Sequence, residues 1–293
     1  MHRVLWLCLI LLLGGTRATA NEWPLLAGGL SGDFRIKSLA GAPPIQWQVE
    51  AVEESVTENR IALSAQAQGL KMRATVALPR DGSPGSWRIL EGHLNVSDWW
   101  SMLKNSGFTP EMSGDFQLTG ELQFAGKGTL EGSHIDGEVS ANLVGGSMSS
   151  ASQEWSVQRM DFIAVLDLSK GAPLIKSLAL ASPRVEVQGF VLENLELGAV
   201  GENLHHLRVH TATVSLFGGR VGLRPFAFDL VKPEILAMAE LTGVALDQLA
   251  SLVPEALSAA QGRLSGALEI GWSAALGVQP GTGSLRITRD SSS

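Results

Sequence analysis

Cysteine is nearly absent from this chain: Cys8 is the only one among its 293 residues. Cys8 lies inside an apolar N-terminal run, so a chain cleaved after that run has no thiol. Structural disulfides, thiolate catalysis and zinc sites built from cysteine are therefore excluded for the mature protein.

Positive charge and long apolar runs are also scarce. Lys and Arg number 22 against 29 Asp and Glu, which gives a net charge of −7. The cations form no basic stripe, and phosphate backbones require clustered positive charge, so nucleic acid is not an expected partner. No run after residue 20 is long and apolar enough for a membrane helix. We expect a mature protein that is soluble, or that is attached to membranes only peripherally.

The N-terminus has the layout of a secretory signal peptide. A basic start, Met1–Arg3, precedes the apolar run Val4–Leu13 and the small residues around Ala18–Ala20. This layout predicts a signal peptide over residues 1–20, cleavage after Ala20 and a periplasmic location. An uncleaved signal anchor is the alternative. A lipoprotein would need a cysteine after the apolar run, whereas Cys8 lies within it.

Alternation of apolar and polar residues is the dominant pattern. It covers Phe116–Phe124 and Arg184–Gln188, among many similar segments, and turns such as Arg80–Gly85 and Phe217–Arg220 separate them. Period-two alternation gives each strand one apolar and one polar face. The pattern predicts a mainly β protein of antiparallel hairpins and meanders, and its 33 glycines suit the many turns.

Helical periodicity is confined to two short segments, Asp98–Leu103 and Leu246–Val253, with a possible restart at Pro254. Each helix is interpreted as a packing element that plugs one end of the sheet; a lid or a membrane contact is the alternative. The plug candidates are Trp99, Trp100, Leu246, Leu249 and Leu252.

The two helices belong to an internal repeat. Residues 94–122 and 241–270 each read as a strand, a short helix opened by Asp98 or Asp247, and a glycine-containing strand. The repeat predicts an N-terminal β-rich part over residues 21–150 and a C-terminal one over 151–293.

Catalytic and metal-binding patterns are weak. His206 and His210 share a strand face with Arg208 between them, which disfavours a cation, so these residues and His205 are interpreted as a solvated polar face. The segment Gly126–Gly132 is no phosphate-binding motif and is interpreted as a hairpin turn. No Ser lies in a G-x-S-x-G elbow. We expect no enzyme, no cofactor and no metal.

The C-terminal half resembles a known family. Phe217–Arg220 is followed by Pro225–Leu230 and Pro233, then by Leu241–Leu249, and the pattern closes with Gly262–Gly266. This order over about residues 210–287 resembles the AsmA-like superfamily. Within that superfamily it is most similar to the YdbH type, whose C-terminal domain has the label "dicarboxylate transport".

The resemblance implies a long, curled antiparallel sheet that forms an open groove with an apolar interior, and transport of phospholipid between membranes. It also implies an envelope lipoprotein or a longer AsmA-like protein as partner. The chain is expected to be a short or truncated member. The candidate residues for the lipid groove are Phe116, Leu118, Leu122, Phe124, Phe226, Phe228, Leu268 and Ile270.

Three alternatives stay open. From pattern alone, the apolar strand faces could equally cover one another in a β-sandwich, because few helices are available to cover them. The protein could be a scaffolding β-domain that binds another envelope protein through a sheet edge. It could also bind a dicarboxylate, although no convergent cationic pocket is visible in the sequence.

Overall fold

A computed structural model describes residues 31–34, 44–105, 115–132, 134–152, 154–168, 173–232, 234–250, 261–273 and 276–288. The predicted signal peptide, residues 1–20, lies outside this part of the chain and stays a prediction. The same holds for the expected helix restart at Pro254. No helix within the described ranges has the length and apolarity needed to cross a membrane.

Strands dominate the structure. They are β1 Ser31–Phe34, β2 Ile45–Glu54, β3 Glu58–Ala67, β4 Leu70–Pro79, β5 Gly85–Asn95, β6 Gln117–Glu131, β7 His134–Ser150, β8 Trp155–Asp167, β9 Leu174–Val187, β10 Phe190–Gly201, β11 His206–Leu216, β12 Gly219–Leu223, β13 Phe226–Asp229, β14 Glu234–Ala245, β15 Arg263–Ser273 and β16 Gly277–Thr288. The helices are α1 Val96–Asn105 and α2 Leu246–Ala250.

The described strands form one antiparallel sheet whose order follows the sequence from β1 to β12 and continues with β14, β15 and β16, while β13 pairs with β11. Sequential order is what short connections produce in a meander. The prediction of a mainly β, antiparallel protein with two short helices is therefore confirmed.

The chain divides into two compact units that interleave in sequence. Of the described residues, unit 1 takes those within 1–109, 118–144 and 163–176, and unit 2 takes those within 110–117, 145–162 and 177–293. Strands β6, β7, β8 and β9 each contribute residues to both units. The predicted boundary between residues 150 and 151 stays a prediction.

In unit 1 the strand register places apolar residues side by side across β2 to β5. Val49 pairs with Leu63, Leu63 with Ala74, and Ala74 with Ile89. Paired residues in an antiparallel sheet point to the same face. Val49, Ala74 and Ile89 are at most 6% exposed, so this face forms the core of the unit.

In unit 2, too, paired residues of neighbouring strands place apolar side chains on one face of the sheet. Val209 pairs with Ala199 on one side and with Phe226 on the other, while Ala239 pairs with Leu223 and Leu268. Ala199, Val209 and Ala239 are at most 3% exposed. The apolar face therefore extends from β10 to β15.

Both copies of the predicted repeat have the expected strand–helix–strand order, β5–α1–β6 in unit 1 and β14–α2–β15 in unit 2. Before α1, the Asn95 amide donates to the carbonyl of Gly69, in the β3–β4 turn, at 2.7 Å. Before α2, the Ala245 amide donates to the carbonyl of Phe217, in the β11–β12 turn, at 3.1 Å. Each helix is thus tied to the turn of a preceding hairpin.

Pro225 separates β12 from β13. A proline in a strand cannot donate to the ladder, which ends regular pairing at that point. Just before the proline, the Arg224 amide donates a backbone hydrogen bond to the Met238 carbonyl of β14 at 2.9 Å. Beyond Pro225 the chain pairs with β11, where Phe226 lies opposite Val209 and Phe228 opposite Leu207.

The interpretation of Gly126–Gly132 as a hairpin turn is wrong for most of that segment. Strand β6 continues through Glu131, and only Gly132 lies in the turn that follows. Gly126 and Gly128 are strand residues beneath the indole of Trp87: a Cβ on Gly128 would lie 2.7 Å from Trp87 Nε1. These glycines serve close packing on the sheet face, which glycine in a strand often marks.

Candidate lipid-binding face

The apolar face of unit 1 is built around two aromatic side chains that lie over glycines. A Cβ on Gly92 would come within 2.6 Å of Phe124 Cζ, so only glycine leaves room for this ring. The Trp87 side chain covers Gly126 and Gly128, and its Nε1 donates to the carbonyl of Asp136 at 3.1 Å. The indole is thereby both buried and satisfied in its hydrogen bonding.

The opposite face of unit 1 is polar. Arg73 contacts Glu50 at 3.0 Å, and His93 lies between two carboxylates, with Nδ1 2.8 Å from Glu121 and Nε2 3.2 Å from Glu91. Ion pairs this exposed contribute little to stability. They do make the two faces chemically distinct, as alternation in a half-solvated antiparallel sheet predicts.

Unit 2 has the same two-faced character. Phe226 and Phe228 are half-buried on β13, while Leu268 and Ile270 are half-buried on β15 and pair with Ala239 and Ala237 of β14. Polar contacts lie on the other face, where Arg224 Nε is 2.7 Å from Glu240 Oε1.

The structure brings most of the predicted groove residues onto apolar faces. Leu118, Leu122 and Phe124 occupy the half-buried side of β6 in unit 1. Phe226, Phe228, Leu268 and Ile270 share the apolar face of unit 2. Phe116 differs, because it precedes β6, is 5% exposed and packs against Trp155 with ring centroids 5.6 Å apart. Whether any of them contacts lipid stays a prediction.

Two of the plug candidates are buried. Trp99 is 1% exposed and donates from Nε1 to the Gln68 carbonyl at 3.0 Å, and Leu246 is 3% exposed at the start of α2. Trp100 is half-buried. Leu249 lies in α2 without a described side chain, and Leu252 lies outside the described residues. The role of these residues as a plug stays a prediction.

The histidine cluster is exposed, as expected for a solvated face. His206 Nε2 lies 3.3 Å from Asp229 Oδ2. The hydrogen bond from the Val231 amide is the largest cause that holds the pKa of Asp229 below its ordinary value of 3.8. Burial opposes this shift, and the Lys232 amide and the charges of His206 and His205 add to it. Within the described ranges, no three His, Cys, Asp or Glu side chains are grouped so as to hold a metal ion.

Several residues central to these faces were not among the predicted sites. Trp87 and Ile89 in unit 1, and Leu207 and Val209 in unit 2, are 3% to 6% exposed. Both pairs show the i, i+2 spacing, so the signal was present in the sequence. What the sequence did not contain was the register that places these pairs beside the predicted residues.

Comparison with models of known protein families shows to which family this chain belongs. The family model described as intermembrane phospholipid transport protein YdbH matches residues 15–277. The chain belongs to the YdbH-like family. No curated protein and no solved structure matches it.

Membership confirms the resemblance seen in the C-terminal half, and the match extends it across most of the chain. The YdbH-like family is a family of lipid transport proteins rather than enzymes. Transport between membranes also implies a place in the cell envelope for its members.

Proposed function

We propose that this YdbH-like chain carries phospholipid with the acyl chains held against the apolar faces of its β-sheet. The observation that supports the proposal most is the continuous apolar face within each unit, which extends from β2 to β6 in unit 1 and from β10 to β15 in unit 2. Half-buried side chains on these faces, such as Leu122 and Phe124 in unit 1 and Phe228 and Ile270 in unit 2, keep apolar area that a ligand can bury with a gain in free energy.

Acyl chains suit these faces better than a small polar ligand does. The faces carry Phe, Trp, Leu, Ile and Val side chains at i, i+2 spacing, whereas cations such as Arg73 and Arg224 lie on the polar side, where they contact carboxylates. A dicarboxylate would need convergent cations. The lipid headgroup would lie toward solvent, and the protein would act in the periplasm after export.

Native mass spectrometry of gently purified protein tests the proposal. The expected result is a population that carries phospholipid mass, together with phospholipid in the organic extract. A protein that is fully free of lipid in both measurements, although it is folded and was purified without detergent, would contradict the proposal.

A second candidate function is binding of another envelope protein by strand addition. It is favoured by β16, which is the last strand in the described order and on which Leu285 and Ile287 are 43% and 60% exposed. Main-chain pairing at an open strand is a common mode of recognition. Recovery of a stoichiometric partner that is lost with Leu285→Pro would support this function.

A further inference from the structure

A cavity of about 600 Å³ lies on the polar face of unit 1, across strands β1 to β4. One of its walls is a row of side chains that the strand register aligns. This row joins Asp33, Gln46, Gln66 and Lys71, one residue from each strand. Paired residues of antiparallel strands point to the same face, so the whole row projects toward the polar side.

A second row forms the other wall of this cavity and consists of Gln48, Ser64 and Arg73. Between the two rows lie Ala65 and Met72, which pair with each other and are 5% and 3% exposed. Their side chains are buried on the apolar face, so the floor between the rows is strand backbone. The cavity is therefore a depression with polar walls.

A second cavity, of about 500 Å³, adjoins the first at Lys71, which lines both. It lies across β3 to β6, and its polar lining includes His93, Asn95, Ser97 and Glu121. We name the two cavities together the polar trough. Neighbouring strands lie about 4.8 Å apart, so the polar trough extends about 24 Å across the sheet from β1 to β6. This length suits a linear chain of several units better than a single small molecule.

Charge in the larger cavity is balanced. Arg73 contacts Glu50 at 3.0 Å, and the other charged side chains of the lining are Asp33 and Lys71. Two cations and two carboxylates leave no net charge that would attract an ionic ligand. The smaller cavity adds Glu121, which already contacts a histidine at 2.8 Å. The polar trough therefore has no excess of cations with which to bind an anion.

Glutamine amides are the main neutral groups of the lining. Gln46, Gln48 and Gln66 are all exposed, and Gln66 Nε2 lies 3.4 Å from Gln46 Oε1, so their remaining donors and acceptors face the cavity. Elsewhere in unit 1, exposed positions carry ion pairs such as that of Lys176 with Glu138. Each amide offers one acceptor and two donors, and a hydroxyl likewise both donates and accepts. The lining is therefore complementary to a ligand rich in hydroxyl groups.

We propose that the polar trough binds a linear, uncharged glycan, with sugar hydroxyls hydrogen-bonded to the glutamine amides and to Lys71, where the two cavities meet. Lys71 is exposed and forms no ion pair with a carboxylate of the described residues, so its ammonium group has donors for the ligand. The polar trough lies on the face opposite to the one proposed to hold acyl chains. Glycan binding therefore does not depend on lipid carriage.

Isothermal titration calorimetry of the full-length chain tests the proposal with three oligosaccharides. Chitohexaose and maltohexaose are linear and uncharged, whereas a hyaluronan hexasaccharide carries carboxylates. At least one of the two uncharged oligosaccharides should bind. The hyaluronan hexasaccharide should bind more weakly, because the polar trough has no excess of cations. An absence of binding for both uncharged oligosaccharides, or tighter binding of the hyaluronan hexasaccharide, would overturn the proposal.

Substitutions locate the binding. Gln46→Ala combined with Gln66→Ala and, separately, Lys71→Met should each weaken the affinity about tenfold, because they remove hydrogen bonds to the ligand. Lys127→Met and Gln158→Ala are the matched controls, since both side chains are exposed and line neither cavity, and they should leave the affinity unchanged. Thermal unfolding shows whether each variant is folded. Unchanged affinity in the folded trough variants, or an equal loss in the controls, would show that the glycan binds elsewhere and would contradict the proposal.

Discussion

The indole of Trp99 donates a hydrogen bond from Nε1 to the backbone carbonyl of Gln68 at 3.0 Å, and only 1% of its side chain is exposed. This bond joins helix α1 to the β3–β4 turn, which the Asn95 amide also contacts through Gly69. The helix is therefore held to unit 1 by a side-chain anchor as well as by the backbone.

Substitutions of Trp99 should show how much this side chain contributes to the free energy of unfolding. Trp99→Phe keeps most of the apolar volume but leaves the Gln68 carbonyl without this donor, so it should cost about 1 kcal/mol of unfolding free energy. Trp99→Ala also creates a cavity and should cost about 3–5 kcal/mol. Urea denaturation measures both, and half-buried Trp100→Ala is the control. An equal or larger loss for the Trp100 variant would contradict the assignment of the anchor.

The glycines beneath Trp87 should resist substitution. Gly128→Ala places a Cβ 2.7 Å from Trp87 Nε1 and also against the backbone of β7, so we expect a loss of about 1–3 kcal/mol from overpacking. Gly222→Ala is the matched control, because its nearest neighbour would be at an ordinary 3.6 Å. Thermal unfolding of the two variants compares them. Equal melting temperatures would show that the strand moves to accommodate the methyl group.

Asp229 should make stability depend on acid pH. Its pKa is lower in the folded protein, chiefly because the Val231 amide donates to the carboxylate. Its contribution is therefore fully present above the unfolded value, near 3.8, and is lost as pH falls through the lower folded value. Asp229→Asn should remove this dependence, and His206→Gln should reduce it only slightly, because the histidine charge is a smaller cause than the backbone bond. Unfolding curves between pH 6 and pH 2, on the order of the range that carboxyl titration spans, measure it.

A carboxyl resonance of Asp229 that titrates at or above 3.8 in the native protein would contradict this account. So would a stability difference between wild type and Asp229→Asn that stays constant across the acid range.

Lipid loading should depend on the apolar face rather than on the strand as a whole. Phe228→Gln introduces an amide on the half-buried side of β13, while Ala227→Gln introduces the same group on the exposed side of the same strand. We expect Phe228→Gln, combined with Ile270→Gln, to reduce the co-purified phospholipid several-fold and Ala227→Gln to leave it unchanged. Native mass spectrometry gives both ratios. If Ala227→Gln lowered the co-purified phospholipid as much as the double variant does, the lipid would have to bind somewhere other than this apolar face.

The sequence predicted the fold class because alternation is local. Segments such as Phe116–Phe124 carry a period of two whatever their neighbours are, and the helix at Asp98–Leu103 is apparent from spacing within six residues. The family resemblance was visible at Phe217–Arg220 for a similar reason, since it rests on a short run of turn and strand residues. These predictions needed no knowledge of pairing partners.

The pairing partners of the strands and their register could not be predicted from the sequence. The segment Gly126–Gly132 has the composition of a turn, yet the indole of Trp87, some forty residues earlier, requires two of its glycines within a strand. The break at Pro225 is evident in the sequence. That the chain then pairs with β11, so that Phe226 lies opposite Val209, depends on the register of β11 and not on local residues.

Composition and periodicity by themselves determined that this protein has two-faced strands, two short helices and no cysteine after Cys8. Tertiary structure alone decided which apolar residues lie together and where glycine must stay within a strand. The physical reason is that side-chain alternation follows from backbone geometry within one strand. The neighbours of a face follow instead from hydrogen-bonded register between strands that are distant in sequence.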